Sequence, residues 1–137
     1  MSREIKFRAF IEATSQMLNV FDMNFIKDED NGRFVRMINN ENFDANSKFI
    51  SCRVDEVELM QYTGLKDKNG VEIYEGDIVE FYIDFGYGMQ KVIAKITYKD
   101  SGFKYESLAG TDFMNIFNDV KIIGNIYENP ELLNNQT

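Results

Sequence analysis

The chain has 137 residues, no histidine, one cysteine, one proline and a net charge of −8, enough for one ordinary domain or two small units sharing a core. Without histidine there is no usual general base near neutral pH, no Ser-His or Cys-His pair and no imidazole ligand, and Cys52 alone builds neither an intramolecular disulfide nor a thiolate zinc site. The charge is −1 over residues 1–52 (7 basic, 8 acidic) and −7 over residues 53–137 (8 basic, 15 acidic), the opposite of what phosphates attract, so duplex DNA is not an expected partner.

Hydrophobic residues make up 44% and aromatics 14% of the chain, a composition that favours a strand-rich core. Ile5 to Phe10 alternates charged and apolar residues, the period-2 signature of a half-buried strand with Ile5, Phe7 and Ala9 on one face. Glu12 to Ser15 reads as a turn, and Gln16 to Phe21 as a returning strand. Asn31-Gly32 supplies the positive φ angles of a tight hairpin before the strand Phe34 to Ile38. The Asn-dense stretch 39–47 (NNENFDANS) reads as a surface loop and the boundary between two units.

Val54 to Tyr62 fits either a strand or a short helix. Lys66 to Gly70 is a strong turn ending in Asn-Gly, and Glu75-Gly76-Asp77 is a second reversal. Ile78 to Ile83 and Lys91 to Tyr98 are strands separated by Phe85-Gly86-Tyr87-Gly88, and Asp100-Ser101-Gly102 turns the chain into Phe103 to Leu108. Over Thr111 to Asp119 the spacing of Phe113, Ile116, Phe117 and Val120 is helical, though a loop is the alternative. Val120 to Tyr127 reads as a closing strand. Asn129-Pro130-Glu131 then looks like a helix start, with Asn129 as N-cap. The second unit, with five or six short strands, reads as a small barrel or sandwich.

Met1-Ser2-Arg3-Glu4 leads straight into the alternating segment, with no signal-peptide run and no stretch long enough to span a bilayer. Together with the single cysteine this predicts a soluble, cytoplasmic protein with no membrane partner.

Leu59-Met60-Gln61-Tyr62-Thr63-Gly64-Leu65-Lys66-Asp67-Lys68-Asn69-Gly70, continuing through Glu72 to Val79, closely resembles the YopX family of small phage and prophage proteins. Arg3 to Ala9 is similar to that family's N-terminal strand, and Ile123 to Leu133 to its C-terminal signature; Phe10 stands where the family usually has Trp. The resemblance implies a mostly β protein, with a small N-terminal β-hairpin unit over residues 1–52 and an SH3-type barrel over residues 53–137 ending in a short helix. It brings no catalytic residues, cofactor or ligand.

Tyr74-Glu75-Gly76-Asp77 is expected to be structural, with Gly76 in a backbone conformation that a Cβ would forbid and Asp77 accepting backbone hydrogen bonds. Glu72, Glu75, Asp77, Glu80 and Asp84 form an acidic series that would suit Mg²⁺ or Ca²⁺. It lacks EF-hand spacing and alternates between faces, so it reads as a solvated charged surface. The glycines at 86 and 88 lack the Lys and Ser/Thr of a P-loop; an aromatic hairpin tip is the better account. Phe85 and Tyr87 at this tip, with Tyr82 or Tyr98, are the candidate partner-binding aromatics. Cys52 reads as a small apolar residue.

The expected function is therefore a non-enzymatic phage or prophage accessory protein. It would bind a host or phage protein or associate with itself. The alternatives are a nucleic-acid-associated phage factor or an acidic nucleic-acid mimic that inhibits a host enzyme.

Overall fold

The computed structural model describes residues 4–24, 34–38, 45–84, 86–107, 110–113 and 119–134. The Asn31-Gly32 turn, most of the 39–47 loop and Phe85 therefore lie outside the described residues. The chain divides into two compact units, Glu4–Gln61 and Tyr62–Thr137.

The first unit is an antiparallel sheet. Phe7–Ile11 (β1), Gln16–Asn24 (β2), Phe34–Ile38 (β3) and Phe49–Arg53 (β4) follow in order, then a single 3-10 turn at Val54–Glu56 and the long strand Val57–Lys66 (β5). The sheet order is β4-β3-β2-β1-β5, with β1 flanked by β2 and by the first half of β5. Both readings of Val54 to Tyr62 are thus realised in succession, a helical turn and then a strand. The strands are where alternation put them, but the buried set is shifted. Ala9 and Ile11 pack with Val35, Met37 and Val57, while Ile5 is 70% exposed and Phe10 is buried.

The second unit begins where β5 changes partner, pairing through Tyr62 and Lys66 with Glu72–Tyr74 (β6). This explains why the units divide within β5 and not after residue 52: residues 57–61 are held by β1 of the first unit. Asp77–Asp84 (β7), Met89–Lys99 (β8), Gly102–Ser107 (β9) and Gly110–Phe113 (β10) form a meander, and Lys121–Asn125 (β11) returns beside β7. The order β10-β9-β8-β7-β11 is an open sheet, and among the described residues no ladder joins β10 to β11. The architecture is mostly β with two antiparallel sheets, and the expected closed barrel is not seen. Glu131–Asn134 (α1) is one short helical turn that packs against β8.

One face of this sheet is the core: Val79 and Phe81 of β7, Val92, Ala94 and Ile96 of β8, and Tyr105 of β9. Phe81 and Tyr105 meet edge to face with centroids 5.0 Å apart. Burying a side chain such as Phe81 contributes roughly 1.5–3 kcal/mol relative to leaving it in water.

Residues 110–113 correct the helical reading of Thr111 to Asp119. Thr111 and Asp112 lie in register with Glu106 and Tyr105 of β9, so strand pairing has overridden a periodicity that rested on four side chains. Residues 114–118 lie outside the described set.

The N-cap assignment also changes. Asn129 turns its side-chain oxygen back, away from α1, to accept the Asn125 N–H at 3.2 Å. Asn125 Oδ1 in turn accepts from the N–H groups of Tyr127 at 3.0 Å and Glu128 at 2.9 Å. Gly124 lies under this knot, where an added Cβ would stand 2.6 Å from Asn129 Oδ1.

Candidate functional site

Strand parity separates the candidate aromatics. Tyr82 pairs with Lys91 on the face of β7 and β8 turned away from the core. Tyr98 shares the parity of Ala94 and Ile96 and stacks edge to face on Phe103, centroids 5.0 Å apart, at the other end of β8. Tyr87 lies on the β7–β8 tip and is 87% exposed. The tip is ordered from below: Asp84 Oδ1 accepts from Gly86 N–H at 2.7 Å and Gly88 N–H at 3.2 Å. Tyr82 and Tyr98, both half-exposed, therefore do not form a groove with the tip between them. They belong to opposite faces.

The acidic series is likewise dispersed. Asp77, buried, accepts the Tyr74 N–H at 2.8 Å and closes the Tyr74–Asp77 turn. Gly76 there has φ +87°, its N–H donates to Ile96 O, and its carbonyl accepts from Ile126. Both residues do the structural work their turn position predicts. Glu80 sits in register with Lys121, and Asp84 is engaged at the tip. Among the described residues no three His, Cys, Asp or Glu side chains are grouped to hold a metal.

A further carboxylate, outside that series, accepts three backbone N–H groups. Asp67 Oδ1 accepts from Asn69 N–H and Val71 N–H, each at 2.9 Å, and Oδ2 from Ile122 N–H on β11 at 3.1 Å. Burial alone would raise its pKa. The three N–H donors (Val71, Ile122, Asn69) and the nearby Lys68 charge outweigh that and hold the carboxyl below its ordinary 3.8. Asp67 is a brace between a turn and a strand distant in sequence. Burial, aided by the Glu56 charge, raises the Cys52 thiol, and the side chain packs against the first unit's core. The residue behaves as a small apolar group.

The cluster that sequence reasoning missed lies on the first unit. In β2 the register with β3 shifts between Val20 and Asp22, so Phe21 is the extra residue of a bulge. A bulge sets two consecutive side chains against one partner. Here Phe21 and Asp22 both reach Arg36 of β3. Arg36 Nε donates to Asp22 Oδ1 at 2.9 Å, and its Nη2 donates to Oδ2. The guanidinium lies 5.4 Å from the Phe21 ring centroid and 5.2 Å from that of Phe49 on β4. Phe21 and Phe49 meet edge to face at 5.0 Å, and each is 42% exposed. The hydrogen-bonded pair lowers the Asp22 carboxyl and raises the Arg36 guanidinium from their ordinary values. Beside it an open depression of about 510 Å³ is lined by Asp22, Met23, Phe34, Arg36 and Ser51.

The alternation of Phe34 to Ile38 already sends Arg36 outward. No sequence signal announces the bulge that brings Phe21 to it.

Two antiparallel β units, one bearing a cation-aromatic surface cluster, define the class of protein. The chain belongs to the YopX family, whose sequence model, "YopX protein", matches residues 6–134. It is similar to the crystal structure of protein EF1440 from Enterococcus faecalis, with 31% identity over 96% of this chain and 99% of that one and a TM-score of 0.63. Protein yopX from Bacillus subtilis, 18% identical over 93% of this chain and 97% of that one, shares the fold with a TM-score of 0.60. No curated protein matches the chain. No helix among the described residues is long and apolar enough to cross a membrane.

Proposed function

We propose that this is a non-enzymatic accessory protein of a phage or prophage, acting in the bacterial cytoplasm as a protein-binding or self-associating module. The observation behind this reading is the Phe21–Arg36–Phe49 cluster. Arginine and aromatic rings are enriched where protein interfaces form, and the Asp22–Arg36 fork holds this set in place before any partner arrives. Within the same reading the second unit is an SH3-type barrel opened along one side. The returning strand β11 beside β7, after the β7–β10 meander, supports that view.

The test combines sedimentation velocity over a wide concentration range with capture from host lysate, each repeated on Phe49→Ser. Self-association, or retention of one defined protein, that Phe49→Ser abolishes is the expected result. A chain that stays monomeric and retains nothing, or whose association ignores Phe49→Ser, ends the reading.

A further inference from the structure

The lysines of the second unit are scattered in sequence and gathered by strand parity. Lys91, Lys95 and Lys99 recur every fourth residue along β8 and so project from one face. The core residues Val92, Ala94 and Ile96 take the alternate positions, which makes the lysine face the one turned away from the core. Register adds Lys104, opposite Thr97, and Lys121, opposite Glu80. Only Lys66 and Lys68, of the lysines after residue 61, lie outside this set. Tyr82 joins it opposite Lys91 and is 53% exposed. Ile78 shares the face but is fully buried, and the Lys104 side chain is only 13% exposed, so the open strip is Lys91, Lys95 and Lys99 along β8.

Its carboxylates among the described residues are few. Glu106 serves two lysines at once, with Lys99 Nζ at 3.2 Å and Lys95 Nζ at 3.8 Å. Asp100 pairs with Lys104 at 3.3 Å. Glu80 faces Lys121, and Asp84, at the far end, is occupied with the Gly86 and Gly88 amides. Five lysines against these four carboxylates leave the face near +1, on a chain whose total is −8.

A repeat of four residues at ~3.3 Å each spaces the β8 lysines by roughly 13 Å. That spacing suits an extended ligand with recurring negative charge more than a lone phosphate. The exposed Tyr82 ring beside Lys91 offers a base a stacking surface. A duplex presents a charge every ~1.7 Å, a single strand every ~3.4 Å, so the chain's net charge opposes the duplex more.

We propose that the lysine face of β8 and β9 binds single-stranded nucleic acid, laid along β8 with a base on Tyr82. This surface is separate from the Phe21–Arg36–Phe49 cluster, and the two readings stand or fall independently.

Fluorescence anisotropy with a labelled oligothymidylate of about a dozen nucleotides tests it, in the site-size range of single-strand binders. Binding at low salt should weaken with a log–log salt slope of about −2, as about three phosphate contacts require. The pair Lys91→Gln and Lys95→Gln should lower affinity about fivefold or more and flatten that slope. Tyr82→Ala should weaken binding and leave the slope unchanged. Glu106→Gln should raise affinity about threefold by releasing two lysines, whereas Glu12→Gln, on an exposed turn of the first unit, makes the same change in net charge and should do nothing.

Three results overturn the proposal. One is no binding at low salt by either the parent or Glu106→Gln. Another is equal effects of Glu106→Gln and Glu12→Gln. The third is poly-glutamate occupying the lysines while the oligonucleotide does not, which assigns the face to an acidic protein segment.

Discussion

The two units differ in what fastens most of their reversals, although the second also has register shifts between Tyr62 and Lys66 and between Ile122 and Gly124, and in the first Glu56 accepts the Arg53 N–H. In the second, reversals are fastened by acidic or amide side chains: Asp67 holds the Lys66–Val71 turn, Asp77 the Tyr74–Asp77 turn, Asp84 the hairpin tip, and Asn125 with Asn129 the C-terminal knot. In the first, the features that shape the surface are a bulge in β2 and a guanidinium reaching across two strands. The Glu12–Ser15 turn is closed by a long backbone bond of 3.4 Å, with the Thr14 hydroxyl donating to Gln16 Oε1 at 2.8 Å. Side-chain-fastened turns are local, and they are written in the sequence as Asx and Gly. A bulge depends on the neighbouring strand and leaves no such mark. All seven tyrosines lie from Tyr62 onward, so tyrosine fluorescence reports the second unit, while β-sheet circular dichroism reports both.

The largest expected effect tests whether Asp67 is the brace it looks like. Asp67→Ala strips the acceptor from three N–H groups, one of them on β11. Each amide left without a partner costs about 1–3 kcal/mol, and water will rescue those nearest the surface, so a loss of about 3–4 kcal/mol is expected. Denaturant unfolding followed by tyrosine fluorescence should show a much lower midpoint. A midpoint within experimental error of the parent would mean that the turn and β11 hold together without this carboxylate.

The same group contributes to acid sensitivity. Its folded pKa lies below the ordinary 3.8, so its contribution is fully present above that value and disappears as pH falls through the depressed folded value. The tyrosine-detected midpoint should be flat above about pH 5 and decline below about pH 4, less steeply in Asp67→Asn. An equal decline in parent and variant would place the acid sensitivity elsewhere.

Gly124→Ala comes next. The new methyl would meet Asn129 Oδ1 at 2.6 Å and its Cβ at 2.9 Å, and the displaced amide would release the Asn125 N–H. A cost of about 1–3 kcal/mol is expected, with a tyrosine-detected loss. Gly124→Ala combined with Asn129→Ala should cost less than the two single losses added, because the collision and the hydrogen bond share one side chain.

Legibility followed the same division. The turns at 66–70, 75–77 and 100–102 and their flanking strands could be read because the residues that make them are adjacent. The reach of Asp67 to Ile122 could not, since it joins residues far apart in sequence. The sequence offers Tyr82 or Tyr98 beside the tip, and only the register tells the two apart by placing them on opposite faces. The helical spacing around Phe113 failed for a related reason. Gly110 to Phe113 had β9 to pair with, and that partner is invisible in a local window. The lysine face needed parity and register together, so no run of charge betrayed it.

The smallest effect compares one serine from each unit. Asp100 and Ser101 form the two-residue link between β8 and β9 with φ of +51° and +67°. Such hairpin turns favour Asn-Gly or Asp-Gly. The glycine that the sequence offers, Gly102, is instead the first residue of β9. Ser15 in the first unit has φ +55° in its own turn. A left-handed conformation costs an ordinary L-residue roughly 1–2 kcal/mol, of which glycine's extra unfolded-state entropy takes back roughly 0.5–1 kcal/mol. Ser101→Gly should therefore raise stability by about 0.5 kcal/mol, seen as a higher tyrosine-detected midpoint because Tyr98 and Tyr105 flank the hairpin. Ser15→Gly should give a gain of similar size that circular dichroism detects. If the units unfold separately, tyrosine fluorescence will miss that gain. If Ser15→Gly moves the tyrosine midpoint as far as Ser101→Gly does, the strand β5, which runs through both units, couples them into one cooperative transition.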